Sequence, residues 1–410
     1  MKYRFVFALI ILVFVSTVSA AETRWAGTLP DDLVSRWMEL ATAHRAVLFD
    51  RTRKTARTNS MVALAMFEAA NSVEQRYPSY LKLPPAQRPA NVRFAVAVAA
   101  KTVLADLYPK EAERFEKLLR ATTEEDPDSE QDQHASSMGE RAAYAALKRG
   151  QRLTSGELVP FRRLAQPGQY IVGDVPSLIA DFDLKLMPWA LARADSVRCE
   201  PPPPLDSDVY ASDLIEVAQL GSKNGSARGA QQTETARFWF LIDFNPVLRE
   251  IASTAGTTYA DVARLYAMFY IAADEAWLAA GEAKAHYQFW RPVTAIRNAD
   301  RDGNSKTERD PYWAPLMPTP AHPEYPCAHC VQAAAQAVIL EAQLADPDRS
   351  FSLYSSALPD AEPRQISLAD YVEQTSLSRI YAGAHYRFSN VAGEAMGVRI
   401  GEQVLAAFSE

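Results

Sequence analysis

The stretch TTYADVARLYAMFYIAADEAWLAAGEAKAHYQFW, residues 257–290, predicts one long helix and with it the fold class. Its apolar residues recur at helical spacing, and no proline interrupts them before Pro292. Similar periodicity runs through residues 31–149, 329–344 and 367–408. We therefore predict an all-α protein built from helical bundles, with little or no sheet.

Composition and the positions of prolines and glycines divide the chain into segments. Residues 21–150 predict an N-terminal helical bundle, and residues 230–410 predict a C-terminal bundle that carries most of the histidines. The intervening residues 151–229 hold the run Pro201–Pro204 and several glycines, which break any long periodic pattern. We expect this middle segment to be mostly irregular and to cover the bundles.

The first twenty residues resemble a secretory signal peptide. Lys2 and Arg4 precede the apolar run 5–15, and small residues then suit cleavage before Ala21. An uncleaved anchor needs nearer twenty apolar residues. We expect a periplasmic or secreted protein whose mature chain has no stable membrane insertion. The full chain has 43 basic and 50 acidic residues, a balance that disfavours nucleic acid as a partner.

Two cations stand near the end of the long predicted helix. Lys284 and Arg291 are seven residues apart, which places both on one face of an ideal helix, and Pro292 should end or kink that helix. Taken alone, the pair is better explained as a solvated charged face.

Two further segments carry candidate chemistry. A proline-rich stretch, residues 318–326, leads into Cys327-Ala328-His329, where we expect a helix to begin and its free N–H groups to attract an oxyanion. Arg379 and His385 lie about 120° apart on an ideal helix, so a break is required between them. Gly383 supplies that break, and Ser389 or Asn390 can cap the next helix.

Together these segments resemble the signature of the phosphatidic acid phosphatase type 2 and vanadium-dependent haloperoxidase superfamily. Two sequence segments are most similar to the soluble haloperoxidase-like branch: FWRPVTAI, residues 289–296, and HPEYP, residues 322–326. The motifs cover about a quarter of the chain and are specific as a set. The resemblance implies helical bundles and an enzyme that uses vanadate, halide and hydrogen peroxide.

The resemblance also implies a role for each site residue. The cofactor-binding residues are those that would neutralise or bond the oxygens of vanadate or phosphate: Lys284, Arg291, Cys327, Ala328 and Arg379. His385 would be the vanadium ligand, or the nucleophile of a phosphatase, and His329 would be the acid–base group opposite it. His322 stands where the family has a residue that adjusts the central histidine and the halide preference.

Two departures from the family pattern affect the expected chemistry. The family usually has Ser-Gly before the central histidine, whereas Cys327-Ala328 stands here and offers only a weaker thiol bond to the oxyanion. That thiol would also be oxidisable beside peroxide. Ser389 replaces the aspartate that usually follows the apical histidine by four residues, so the carboxylate that orients His385 is missing or comes from elsewhere.

Four other interpretations stay open at this point. A soluble phosphatase of the same superfamily would hydrolyse a phosphate monoester through a phosphohistidine and would need no vanadate. A structural zinc site could use His322, Cys327, His329 and Cys330, although their spacing is poor. A disulfide between Cys327 and Cys330 is plausible in an oxidising compartment. The whole chain could also be a non-catalytic helical binding protein.

Overall fold

The computed structural model describes residues 33–48, 52–122, 129–154, 166–171, 185–224, 227–253, 257–346 and 348–409. The predicted signal peptide, residues 1–20, lies outside these ranges, and so do parts of the middle segment.

Within the described ranges the chain forms thirteen α-helices, and their apolar spacing follows the periodicity of the sequence. The first five lie in the N-terminal part: α1 Leu33–Leu48, α2 Thr52–Glu74, α3 Val92–Leu107, α4 Ala112–Thr122 and α5 Glu130–Gly150. The others are α6 Asp208–Leu220, α7 Ala230–Phe238, α8 Asn245–Ala252, α9 Tyr259–Tyr287, α10 Pro292–Arg297, α11 Ala328–Glu341, α12 Leu368–Tyr381 and α13 Arg387–Ala407.

Helix α9 is the central element of the fold. It begins at a capping box, in which the Thr258 side chain accepts from Asp261 N and the Asp261 carboxylate accepts from Thr258 N. Most of its 29 residues are buried, because α2 packs on one side of it and α11 on another. The N-terminal helices α2, α3 and α5 pack together, as do the C-terminal helices α11, α12 and α13. One helix therefore contributes to both groups of helices.

Three glycines of α13 allow it to lie close against α11. A Cβ atom at Gly393 would lie 2.8 Å from the Cys327 carbonyl oxygen, and one at Gly401 would lie 2.6 Å from Val338 Cβ. Gly397 between them faces the backbone of Val331 in the same way. This close approach fixes the start of α11 relative to the start of α13, where the predicted site residues lie.

A small antiparallel sheet accompanies the helices. Its order is β1 Ile242–Asp243, β2 Phe351–Ser355 and β3 Arg364–Ile366. Alternate residues of β2 are buried, so one face of the sheet packs inward. Since the described chain is mostly helical, the prediction of an all-α fold with little sheet is confirmed. No helix in the described ranges is long and apolar enough to span a bilayer.

The middle segment, residues 151–229, is not irregular throughout. Helix α6 lies within it, because Ser207 caps its N-terminus and apolar residues such as Tyr210 and Leu214 bury one side. The rest of the described segment runs over the bundle: Trp189 is buried, and Tyr170 N donates to Gln288 O at the end of α9. The proposed boundaries at residues 150 and 230 stay a prediction.

Candidate active site

Lys284 and Arg291 lie on two different helices. Helix α9 ends at Tyr287, because Gln288 adopts a left-handed conformation with φ of 49°. Arg291 is the N-cap of α10, and Pro292 is the first residue of that helix. The expectation that Pro292 ends a helix carrying both cations on one face is therefore wrong. A tight turn brings the two cations together instead.

Lys284 holds the proline-rich loop against the end of α9. Its side chain is fully buried, and Nζ donates to Pro323 O at 3.1 Å, to Glu324 O at 2.6 Å and to Pro326 O. Burial, and then the charge of Arg291, hold the pKa of Lys284 well below its ordinary value. Three carbonyl oxygens thus satisfy an ammonium that has no ion-pair partner among the described residues.

Arg291 links the proline-rich loop to His385. Its side chain is 1% exposed; Nε donates to His322 O at 2.9 Å and Nη1 donates to Ala384 O at 2.8 Å. Nη1 also lies 3.2 Å from His385 Nε2, and Nη2 lies 2.9 Å from His322 Nδ1. One planar guanidinium therefore sets the relative positions of both imidazoles.

Arg379 adds a third buried cation. It lies near the end of α12, where Nε donates to Ser378 Oγ at 3.0 Å and Nη2 donates to Trp239 O at 3.1 Å. Burial, then the like charge of Arg291, lower the pKa of Arg379 to about 10. Burial lowers the pKa of Arg291 to about 10, against the opposing effect of the nearby Glu324 carboxylate.

His385 lies in the break between two helices, as predicted. Helix α12 ends at Tyr381, Gly383 has φ of 75°, and α13 begins at Arg387. Tyr386 is the N-cap of α13, whereas Ser389 and Asn390 lie inside the helix and are buried. The expectation that Ser389 or Asn390 caps this helix is wrong, because the backbone becomes helical at Arg387, directly after Tyr386.

The carboxylate beside His385 comes from Glu324. Its Oε1 lies 2.7 Å from His385 Nδ1 and accepts a hydrogen bond from Tyr386 N at 3.2 Å. Desolvation raises the pKa of Glu324 to about 7, against the opposing charges of Lys284 and Arg291. Glu324 is absent from the residues predicted from sequence, although it stands within the HPEYP motif that suggested the family.

Ser389 faces the same carboxylate. Its hydroxyl lies beside Glu324 and helps to lower the pKa of that group. The Ser389 hydroxyl does not form a hydrogen bond with the carboxylate in this geometry. Neither Ser389 Oγ nor Glu324 Oε2 has a hydrogen-bond partner among the described residues. Ser389, at the position of the family's aspartate, therefore lies next to Glu324, the carboxylate that contacts His385 in this chain.

Burial disfavours the protonated form of both His322 and His385. Desolvation, followed by the charges of Arg291 and Lys284, lowers the pKa of each imidazole well below its ordinary value. His322 Nδ1 lies near both Arg291 Nη2 and Pro323 O, the latter at 3.0 Å. One ring nitrogen cannot accept from a guanidinium and donate to a carbonyl at once, so the contact that forms depends on the tautomer.

His329 lies in the first turn of α11, as predicted. Cys327 is the N-cap and Ala328 the first helical residue, and within this first turn the Cys330 N–H donates to Cys327 O at 3.1 Å. The His329 ring packs edge-on against Trp277 of α9 at 5.6 Å. Its charge also lowers the pKa of both His322 and His385, so it lies in the same cluster as those imidazoles.

Cys327 and Cys330 form a disulfide across the first turn of α11. Cys327 Sγ therefore carries no hydrogen, and it accepts from Cys330 N at 3.2 Å. The expectation that the Cys327 thiol donates a hydrogen bond to an oxyanion is therefore wrong, because a disulfide sulfur has no hydrogen to donate. The zinc interpretation also loses both of its thiolate ligands, since a disulfide sulfur is not a thiolate.

The buried charges show that the donor set suits an oxyanion. Lys284, Arg291 and Arg379 are each at most 4% exposed, and Glu324 is the carboxylate that acts on the first two of them. Buried charge is costly unless it is compensated. A group with several negative oxygens, such as phosphate or vanadate, would balance the excess positive charge and could accept from guanidinium and helix N–H donors, and from Lys284 once Nζ releases one of its three carbonyl oxygens.

Comparisons with known proteins agree with this chemistry. Residues 264–410 match the family model of the VCPO second helical-bundle domain. Vanadium chloroperoxidase from Curvularia inaequalis is 28% identical over 146 residues, which cover 28% of this chain and 23% of that protein. The chain thus spans about a quarter of the length of this curated relative.

Solved structures extend the likeness to most of the chain. The structure described as the first bacterial vanadium-dependent iodoperoxidase has a TM-score of 0.74 and 18% identity, and the match covers 94% of this chain and 100% of that one. A holo-type bacterial vanadium-dependent chloroperoxidase has a TM-score of 0.66 and 15% identity, with 94% and 97% covered. The resemblance to the superfamily is therefore confirmed: residues 264–410 match a vanadium chloroperoxidase domain, and the chain has the helical fold of the bacterial vanadium haloperoxidases.

Proposed function

We propose that the chain is an exported, vanadium-dependent haloperoxidase-like enzyme that oxidises halide with hydrogen peroxide. The observation that carries this proposal is the cluster of three buried cations, Lys284, Arg291 and Arg379, beside the buried imidazole of His385, whose Nε2 lies 3.2 Å from Arg291 Nη1. The haloperoxidase relatives support the same chemistry.

The cations and the start of α11 would hold the cofactor. Arg291 and Arg379 would bind the oxygens of vanadate, and the Ala328 N–H would add a backbone donor at the helix N-terminus. Lys284 would join them by exchanging one of its three carbonyl partners for a vanadate oxygen. Vanadate bound there would supply the activation of peroxide toward a halide. Cys327 would contribute its backbone position and not a thiol bond.

The histidines would divide the remaining tasks. His385 Nε2 is directed at Arg291, and its lone pair is the group that would bond the anion, as the vanadium ligand. His329 would exchange protons with peroxide on the other side of the anion. His322, which shares Arg291 with His385, would adjust the environment of the oxygens and the choice of halide.

Phosphate-monoester hydrolysis is the alternative, and the His385–Glu324 contact favours it. A carboxylate that accepts from Nδ1 leaves Nε2 as a nucleophile, which is the requirement for a phosphohistidine. His329 would then protonate the leaving alcohol. The missing hydroxyl at Cys327 also weakens the peroxidase proposal.

Parallel assays decide between the two activities. The purified chain, reconstituted with orthovanadate, is assayed for oxidation of chloride, bromide and iodide by hydrogen peroxide, and without vanadate for hydrolysis of a phosphate monoester. The proposal predicts halide oxidation that requires vanadate and is lost in His385→Ala. Hydrolysis that vanadate inhibits, with no halide oxidation above the His385→Ala control, would establish the phosphatase.

Export is tested separately by expressing the full chain in a bacterium and sequencing the N-terminus of the protein recovered outside the cytoplasm. The proposal predicts a mature chain that begins at Ala21. Retention of Met1 on all of the protein would contradict it.

A further inference from the structure

We propose that Glu324 is the positioning residue that holds His385 with its proton on Nδ1 and its lone pair on Nε2. This inference rests on the proposed function, because that function makes His385 Nε2 the group that bonds the anion. The inference assigns to Glu324, in the proline-rich loop, the task that the family's usual aspartate would have at position 389.

The hydrogen bonds allow only one neutral tautomer of His385. A guanidinium can only donate, so His385 Nε2, 3.2 Å from Arg291 Nη1, must accept. Glu324 Oε1 already accepts from Tyr386 N, so His385 Nδ1, 2.7 Å from the same oxygen, donates to it. Both contacts are satisfied when the imidazole carries its proton on Nδ1, which leaves the Nε2 lone pair facing the cations.

Glu324 is itself rigidly held. Its backbone N–H donates to Phe289 O at 2.9 Å, and its backbone carbonyl accepts from Lys284 Nζ at 2.6 Å. Its side chain is fully buried, and Oε1 receives a second hydrogen bond from Tyr386 N. The carboxylate is thus fixed to the end of α9 through its backbone and to the start of α13 through its side chain.

Ser389 gives the proposal an internal check. Its hydroxyl lies beside the Glu324 carboxylate, one helical turn beyond His385. An aspartate at position 389 would start from the same part of α13 and extend toward the space of the Glu324 carboxylate. It should therefore take over the acceptor role when Glu324 is replaced.

The test combines a tautomer measurement with a binding measurement. Protein labelled with ¹⁵N in its histidine rings is compared with His385→Ala to assign the His385 nitrogens, and orthovanadate affinity is measured by calorimetry. The variants are Glu324→Leu, which has no acceptor, Glu324→Gln, which keeps a carbonyl acceptor, and the double variant Glu324→Leu/Ser389→Asp. Glu68→Leu is the matched control, because Glu68 is also a fully buried glutamate and bonds Ser79 and Leu81 but no histidine.

We expect wild-type His385 to be protonated on Nδ1 and not on Nε2. Glu324→Leu should weaken this preference and bind orthovanadate at least tenfold more weakly, while Glu324→Gln and the Glu68→Leu control should stay within threefold of wild type. The double variant should regain most of the lost affinity.

Several results would overturn the proposal. They are a wild-type His385 protonated on Nε2, a Glu324→Leu protein that keeps its tautomer and its affinity, and a folded double variant no better than Glu324→Leu. If Glu324→Leu fails to fold, a wild-type His385 protonated on Nε2 still refutes the proposal. A wild-type protein that binds no orthovanadate would refute the proposed function, whereas its His385 tautomer would still test the role of Glu324.

Discussion

Arg291→Lys separates the charge of the oxyanion site from its geometry. The substitution keeps one positive charge but replaces a planar group with several donors by a single ammonium. In the structure, Arg291 donates to the carbonyl oxygens of His322 and Ala384 and contacts the rings of His322 and His385. A lysine at this position cannot satisfy all four of these partners in their present arrangement.

The expected losses follow from those contacts. At least one buried carbonyl should lose its donor, which costs about 1–3 kcal/mol of unfolding free energy. Loss of one charge-assisted hydrogen bond to a bound oxyanion costs about 1.5–3 kcal/mol, which is roughly ten- to a hundredfold in affinity. Orthovanadate binding by calorimetry and urea unfolding measure the two quantities on the same preparation.

Arg57→Lys is the matched control for this substitution. Arg57 is 4% exposed, and its guanidinium lies 2.7 Å from the Asp274 carboxylate, among residues that the site does not use. Arg57→Lys should lower stability but leave orthovanadate affinity unchanged. A folded Arg291→Lys protein that binds orthovanadate within threefold of wild type would refute the reasoning.

Three further predictions concern stability. Burial raises the pKa of Glu275 to about 7, so its contribution to stability is present below pH 4.5 and is lost as the pH rises through 7. Urea unfolding between pH 5 and 8 should therefore show Glu275→Gln gaining up to about 3 kcal/mol relative to wild type as the pH rises, and parallel profiles would contradict this. Replacing Cys327 and Cys330 by alanine removes the disulfide and should cost about 2 kcal/mol in the chain-entropy account; the double variant should then be insensitive to reductant. Gly397→Ala places a methyl group against the backbone of Val331 and should cost about 1–3 kcal/mol in urea unfolding, and an unchanged midpoint would show that α11 and α13 can move apart.

Helical periodicity predicted the fold class well because each long helix buries a stripe set by its own sequence. Residues 257–290 predicted one long helix, and α9 runs from Tyr259 to Tyr287 within that stretch. The ends were harder to predict, because a left-handed residue such as Gln288 depends on the packing around it and not on a glycine in the sequence. Helix α6 was missed because the prolines just before it dominated the local pattern.

The motifs predicted most of the candidate site, since each carries a cation or histidine at a recognisable turn. They did not predict the contact between Glu324 and His385, which joins residues 61 positions apart in the chain. A missing carboxylate at Ser389 showed that something must replace it, but only the tertiary structure identifies the residue. The sequence left a Cys327–Cys330 disulfide open because an oxidising compartment would permit it, and the loss of the thiol follows only once the bond is known.

The central claim is that the buried cations and His385 form one oxyanion site, and a crystal structure of the chain soaked with orthovanadate tests it most directly. We expect one vanadate within hydrogen-bonding distance of Lys284, Arg291 and Arg379, with His385 Nε2 at its apex and the Ala328 N–H beside one oxygen. Vanadate bound elsewhere, or crystals in which these three cations bind no anion at saturating orthovanadate, would contradict the claim.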